Sequence, residues 1–152
     1  MARPAEPHIK RQSEDIPQSV PALSEVSDII IARAVAAAVR ATPGIAGLSP
    51  GLLALAATYG PNERVVGVVL RHFSPHDTVV EVHVVVGIET IPKTEPHKTV
   101  SDMSAPAGVS DGAVLIRVAN QVRNAVYRAI AELNLPPPSA VDVLIDDIRL
   151  PA

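Results

Sequence analysis

The densest group of side chains able to do chemistry is His72, His76, Asp77, Glu81 and His83, all within one stretch read as a hairpin. Imidazole together with carboxylate suits zinc or a related ion. Whether they could share an ion depends on register. His72 and His83 fall on one face only if residue 72 pairs with 79, whereas matching Val66, Val68 and Leu70 to Val80, Val82 and Val84 favours the other register. Separate surface histidines are therefore the preferred reading, and a metal or small-ligand site built on His72, His76 and His83 is the alternative. Ser74-Pro-His76-Asp77 carries the letters of a nucleophilic triad, but neighbours in a tight turn diverge and Ser-Pro-X-Asp is ordinary turn composition. No cysteine is present, which removes thiolate ligands, thiol nucleophiles and disulfides. The lysines, Lys10, Lys93 and Lys98, fall in a terminal tail or a long loop, so no core Schiff-base amine is expected.

Other constellations are equally plain. The glycines of Gly44-Ile-Ala-Gly-Leu-Ser-Pro-Gly51 follow a helix and lack the Gly-Lys-Ser/Thr of a phosphate cradle, so they read as chain reversal. Asp146 and Asp147 are adjacent on a strand and face opposite ways, while Asp142 and Asp146 share a face with Leu144 between them. Arg117, Gln121, Asn124 and Arg128 run down one side of a helix, with Asn120 and Arg123 beside them. Such a stripe is either a solvated face or a grip for an acidic partner. None of these sets converges on catalysis, and no catalytic, cofactor-binding or metal-binding residue is assigned.

The elements that must position these residues follow from periodicity. Residues 1–24, with Pro4, Pro7, Pro17 and Pro21 among balanced charges, read as a disordered tail. A helix follows, capped by Ser27, with Asp28 and Arg40 matching its dipole and Pro43-Gly44 ending it. Its body from Ile29 to Val39 is apolar nearly all round. Either sheet and tail wedge it in place, the preferred account, or its second face enters another subunit. Three strands are expected at Leu52–Tyr59, Val65–Phe73 and Thr78–Ile88 as an antiparallel meander, the last with Val80, Val82, Val84 and Val86 on one face and Glu81 and His83 on the other. Residues 91–111 read as a mobile loop insertion. A second helix spans about Gly112–Leu133, and a final strand covers Val141–Leu150. The order αβββαβ predicts an α+β fold, a single domain over 25–150 with two helices on one face of a small mixed sheet.

Composition sets the outer limits. At 152 residues one domain is expected, and 47% apolar content with only three aromatics demands an aliphatic core. A net charge of −3 gives no drive toward nucleic acid or anionic surfaces. The apolar stretch Ile29–Val39 falls far short of the ~20 residues of a membrane span. No secretory signal is visible, so a cytoplasmic location is expected.

Read in order, several strings resemble the alkaline shock protein family, the envelope stress response proteins of Gram-positive bacteria, and most of all its actinobacterial branch. They are Ile31-Ala-Arg-Ala34, Pro43-Gly-Ile-Ala-Gly-Leu48, Ala57-Thr-Tyr59 and Arg64-Val-Val-Gly-Val68, then Val80-Glu-Val-His-Val-Val-Val86, Val118-Ala-Asn-Gln-Val-Arg-Asn-Ala-Val126 and Val141-Asp-Val-Leu-Ile-Asp-Asp-Ile148. The resemblance covers about residues 25–150; the 91–111 insertion and the proline-rich tail lie outside it. It implies a non-enzymatic scaffold or adaptor that associates with itself as a homo-oligomer, needs no cofactor and brings no catalytic residues. It also implies a cytoplasmic protein that reaches the membrane face through a membrane-anchored partner.

Overall fold

The computed structural model describes residues 20–88 and 111–151. Its elements are α1 (Asp28–Arg40), β1 (Ile45–Leu48), β2 (Ala57–Gly60), β3 (Glu63–Val66), β4 (Val68–Ser74), β5 (Asp77–Gly87), α2 (Asp111–Glu132) and β6 (Ala140–Arg149). The fold is α+β, as the periodicities predict, with both helices against one face of a mixed sheet. The expected insertion at 91–111 and residues 1–19 of the expected tail fall almost wholly outside the described residues.

β5 is the axis of the sheet. Along one edge it pairs in parallel with β6, from Val79↔Ala140 to Gly87↔Arg149. Along the other it pairs antiparallel first with β4, through Val68↔Val82, Leu70↔Val80 and His72↔Thr78, and then with β1, through Ile45↔Val86 and Leu48↔Val84. The handover occurs at His83, whose N–H donates to Gly67 O at 2.8 Å and whose carbonyl accepts from Ser49 N at 2.9 Å. β2 and β3 form a separate hairpin sheet that packs on α1.

The core is built of β-branched residues. Val80, Val82, Val84 and Val86 are fully buried on one face of β5 and meet Ile31, Val35 and Val39 of α1 and Val118, Val122, Val126 and Ile130 of α2. Each such side chain contributes about 1.5–3 kcal/mol by leaving water, and valine's single favoured rotamer makes the packing well defined. α1 is covered by the sheet, by α2 and by the β2–β3 hairpin, which leaves only a narrow exposed line at Ile30, Arg33, Ala37 and Arg40. This is the wedged account, with α2 and the hairpin supplying most of the cover expected of the tail.

Four expectations are corrected. The tail does not run to residue 24, because a 3-10 turn at Leu23–Glu25 places Leu23 in the core. Gly44–Gly51 contains the short strand β1, hidden by a bulge between Ile45 and Gly47. Leu52–Leu55 is no strand: Gly51 and Ala54 take positive φ of 74° and 57°, which turns the chain outward. The expected strand Val65–Phe73 is broken at Gly67, so the order is αβββββαβ.

Gly67 shows why the break is obligatory. Its φ is +83°, and a Cβ there would lie 2.8 Å from Leu48 Cβ and 3.0 Å from the carbonyl oxygens of His83 and Ser49. Gly67→Ala is expected to lower stability by about 2 kcal/mol or more, because both backbone strain and a backbone clash apply. Gly47→Ala, where nothing lies within 4 Å of the new Cβ, is expected to change it by less than about 0.5 kcal/mol. Urea midpoints of the two variants check this, and equal losses would contradict it.

Candidate functional site

Because the even-numbered valines of β5 face the helices, Glu81 and His83 face the other way. On that outer face Arg71 of β4, Glu81 and His83 of β5 and Asp146 of β6 form one chain of contacts. Arg71 Nη2 lies 2.9 Å from Glu81 Oε2, His83 Nε2 lies 2.7 Å from Glu81 Oε1, and His83 Nδ1 lies 2.9 Å from Asp146 Oδ2. The β5–β6 register slips between Val84 and Val85, so Val84 pairs with Ile145 and Val85 with Asp147. Asp146 is the extra residue of that bulge, the usual device for re-aiming one side chain. With His83 protonated, two cations face two carboxylates and the cluster is neutral.

His83 is only 8% exposed. Burial alone would lower its pKa, but the hydrogen bonds and charges of Glu81 and Asp146 outweigh burial and hold it above the ordinary 6.5. Both ring nitrogens are thus occupied by carboxylates. The imidazole is neither a free general base nor a free metal ligand in this arrangement.

Over this cluster stands the loop 50–56. It is closed by its own hydrogen bonds, Ala56 N to Pro50 O at 2.9 Å, Ala54 N to Gly51 O at 3.1 Å and Gly51 N to Ser49 Oγ at 3.1 Å. Gly51 packs on the His83 ring, where an added Cβ would stand 3.4 Å from Nδ1 and Cε1. The loop therefore points its leucines outward: Leu52, Leu53 and Leu55 are 100%, 74% and 71% exposed. Beside it, a groove of about 310 Å³ runs between the leucines and Val69, Arg71, Glu81 and His83. Leu144, paired with His83 across the sheet, adds a further exposed aliphatic side chain.

The three histidines of the hairpin are not brought together. The register pairs 72 with 78, so His72 leaves the face of His83; its Nε2 lies 2.8 Å from Asp28 Oδ1 and its Nδ1 lies 2.8 Å from Thr78 Oγ1, tying β4 to the start of α1. His76 is exposed in the β4–β5 turn, where its backbone N–H donates to Ser74 Oγ at 3.3 Å. Among the described residues no group of three or more His, Asp or Glu side chains is placed to hold an ion. The helical stripe fares differently. Arg117, Gln121, Asn124 and Arg128 are all exposed on α2, and the last three line a groove of about 450 Å³ between α2 and the end of α1.

Sequence reasoning named His83, Glu81 and Asp146 but did not join them, and it placed the leucines in a strand. The period-2 pattern carried the first signal, since Arg71, Glu81 and His83 are all odd-numbered positions facing away from the valines. The second was concealed by an apolar run that looks like a strand until the positive φ of Ala54 is known.

The raised His83 pKa has a definite linkage sign. A folded-state value above the unfolded one stabilises fully below about pH 6.5, and the contribution is lost as pH rises through the folded value. The melting temperature of the wild type should therefore fall on raising pH from 6 to 9 by more than that of His83→Gln. His83→Ala, which leaves Glu81 and Asp146 without their shared donor, should cost about 1–3 kcal/mol at pH 6 and less at pH 9. Parallel melting curves for wild type and His83→Gln across this range would contradict the account. Comparison of the chain with family models, curated proteins and solved structures returned no match, so the reading of this site rests on its geometry.

Proposed function

We propose that this chain is a non-enzymatic scaffold or adaptor of the alkaline shock type, which joins to further copies of itself through the outer face of its sheet. The observation that carries the reading is the leucine loop. Its backbone is closed by its own hydrogen bonds, so Leu52, Leu53 and Leu55 cannot fold back without breaking them. Exposed apolar groups held out in this way mark contact surfaces.

The surface beneath them favours an identical partner. In a two-fold contact each patch meets its own copy, so any net charge repels itself. With His83 protonated, the Arg71–Glu81–His83–Asp146 cluster cancels its charges internally and removes that obstacle. Binding rather than turnover is supported by His83, whose ring nitrogens are both engaged. The resemblance in order and strings over residues 25–150 supplies the envelope stress role, the cytoplasmic location and a membrane-anchored partner. No helix of the described residues is long and apolar enough to cross a membrane.

The strength of self-association can be bounded. In a two-fold contact three leucines from each copy leave water at about 1.5–3 kcal/mol apiece, roughly 9–18 kcal/mol together, against an association cost of ~4–15 kcal/mol, and the roughly 8 kcal/mol of a micromolar complex falls within that surplus. Sedimentation velocity from low to high micromolar concentration should show the wild type shifting to a larger species. The triple variant Leu52→Ser, Leu53→Ser, Leu55→Ser should stay monomeric with an unchanged melting temperature. A wild type that remains monomeric, or a triple variant that associates equally well, contradicts the proposal.

A further inference from the structure

The residues Arg117, Gln121, Asn124 and Arg128 stand at i, i+4, i+7 and i+11 of α2, which puts them in one line about 16 Å long on its exposed side. That spacing is the seam along which a helix meets another helix. The structure adds what spacing alone cannot show. Gln121, Asn124 and Arg128 form one wall of the 450 Å³ groove, Ala38 and Ala41 at the end of α1 contribute to the other, and Ala125 and Ala129 are also among the lining residues. Methyl side chains at these places let a third backbone come close to both helices.

Charge selects the occupant. Arg33 is paired with Glu63 and Arg71 with Glu81, while Arg123 donates to Asn120 Oδ1 at 2.9 Å and Val141 O at 3.2 Å. Arg117 and Arg128 have no ion pair among the described residues. Arg40, Arg64 and Arg149 have none either, but none of them lies on this line, of which Arg128 lines the groove and Arg117 stands one turn beyond Gln121. The seam thus presents two unpaired cations with two amides between them, and Glu132 ends the groove with an anion. A fitting helix carries two carboxylates eleven residues apart, small or amide side chains between them, and no carboxylate opposite Glu132. Among the described residues the exposed lines of α1 and α2 are basic, so neither of these helices of a second copy fits.

We propose that the α1–α2 groove is the docking site for an acidic amphipathic helix of a different protein, leaving the outer sheet face free for self-association. This deepens the adaptor reading and rests on it. The two surfaces lie on opposite sides of the sheet, so one molecule can use both at once.

The test uses the full chain and a synthetic helical peptide with two glutamates eleven residues apart and alanine and glutamine between them, read by fluorescence anisotropy. Arg117→Glu with Arg128→Glu should weaken binding about tenfold, the size expected when two exposed ion pairs become like-charge contacts. A peptide with lysines in place of the glutamates should bind that variant better than the wild type. Ala125→Leu, which fills the groove and keeps both arginines, should also weaken binding of the glutamate peptide. The proposal is overturned if the glutamate peptide fails to bind the wild type, binds it no tighter than the lysine peptide, or ignores either variant. Tighter binding of a single-stranded oligonucleotide at the same ionic strength would also overturn it. Sedimentation of the same samples reports self-association separately, so failure of the groove and failure of the leucine loop are distinguishable.

Discussion

The rest of the structure depends on the pairing of β5 along both of its edges while its even-numbered valines are buried beneath two helices. A strand has a period of two, so burying Val80, Val82, Val84 and Val86 sends Glu81 and His83 to the opposite face without further choice. A slip of one residue would bury a carboxylate and an imidazole among aliphatic groups, at a cost no other part of this small domain could offset. Register, core and outer cluster are therefore one constraint seen from three sides.

His83 stands where the parts of the sheet join. Its backbone passes the edge of β5 from β4 to β1, its side chain bridges β5 to the bulge of β6, and its ring supports Gly51 at the base of the leucine loop. A buried ionisable residue is costly unless its partners neutralise it, and here a carboxylate sits on each nitrogen. With His83 protonated, the outcome is a polar cluster without net charge beneath an apolar rim. Such a surface can be covered by a partner with little electrostatic penalty, which is why it suits association better than proton transfer.

Much of this was legible in the residues. Alternation along Thr78–Ile88, the helical periodicity over Gly112–Leu133 and the aliphatic composition together gave the fold class and the inner face of the sheet. The preferred hairpin register already set His72 and His83 apart, because valine matching outweighs any attraction between histidines. What could not be read was conformational. Nothing in Leu52–Tyr59 announces that Ala54 adopts a positive φ, since alanine there is an exception to its ordinary preference. The division of Val65–Phe73 at Gly67 and the bulge at Asp146 are likewise tertiary facts, visible only once β1, β4 and β6 compete for the edges of β5. The helical seam from Arg117 to Arg128 was legible as a line, but its groove depends on where α1 ends.

The most direct measurement is the dependence of backbone amide NMR shifts on protein concentration in the wild-type chain. Shifts that move on dilution are expected to cluster at Leu52–Leu55, Val69, Arg71, His83 and Leu144, with those of Gln121, Asn124 and Arg128 unmoved. Movement centred on α2, or none anywhere up to high micromolar concentration, would contradict the claim that the uncovered sheet face joins one copy to another.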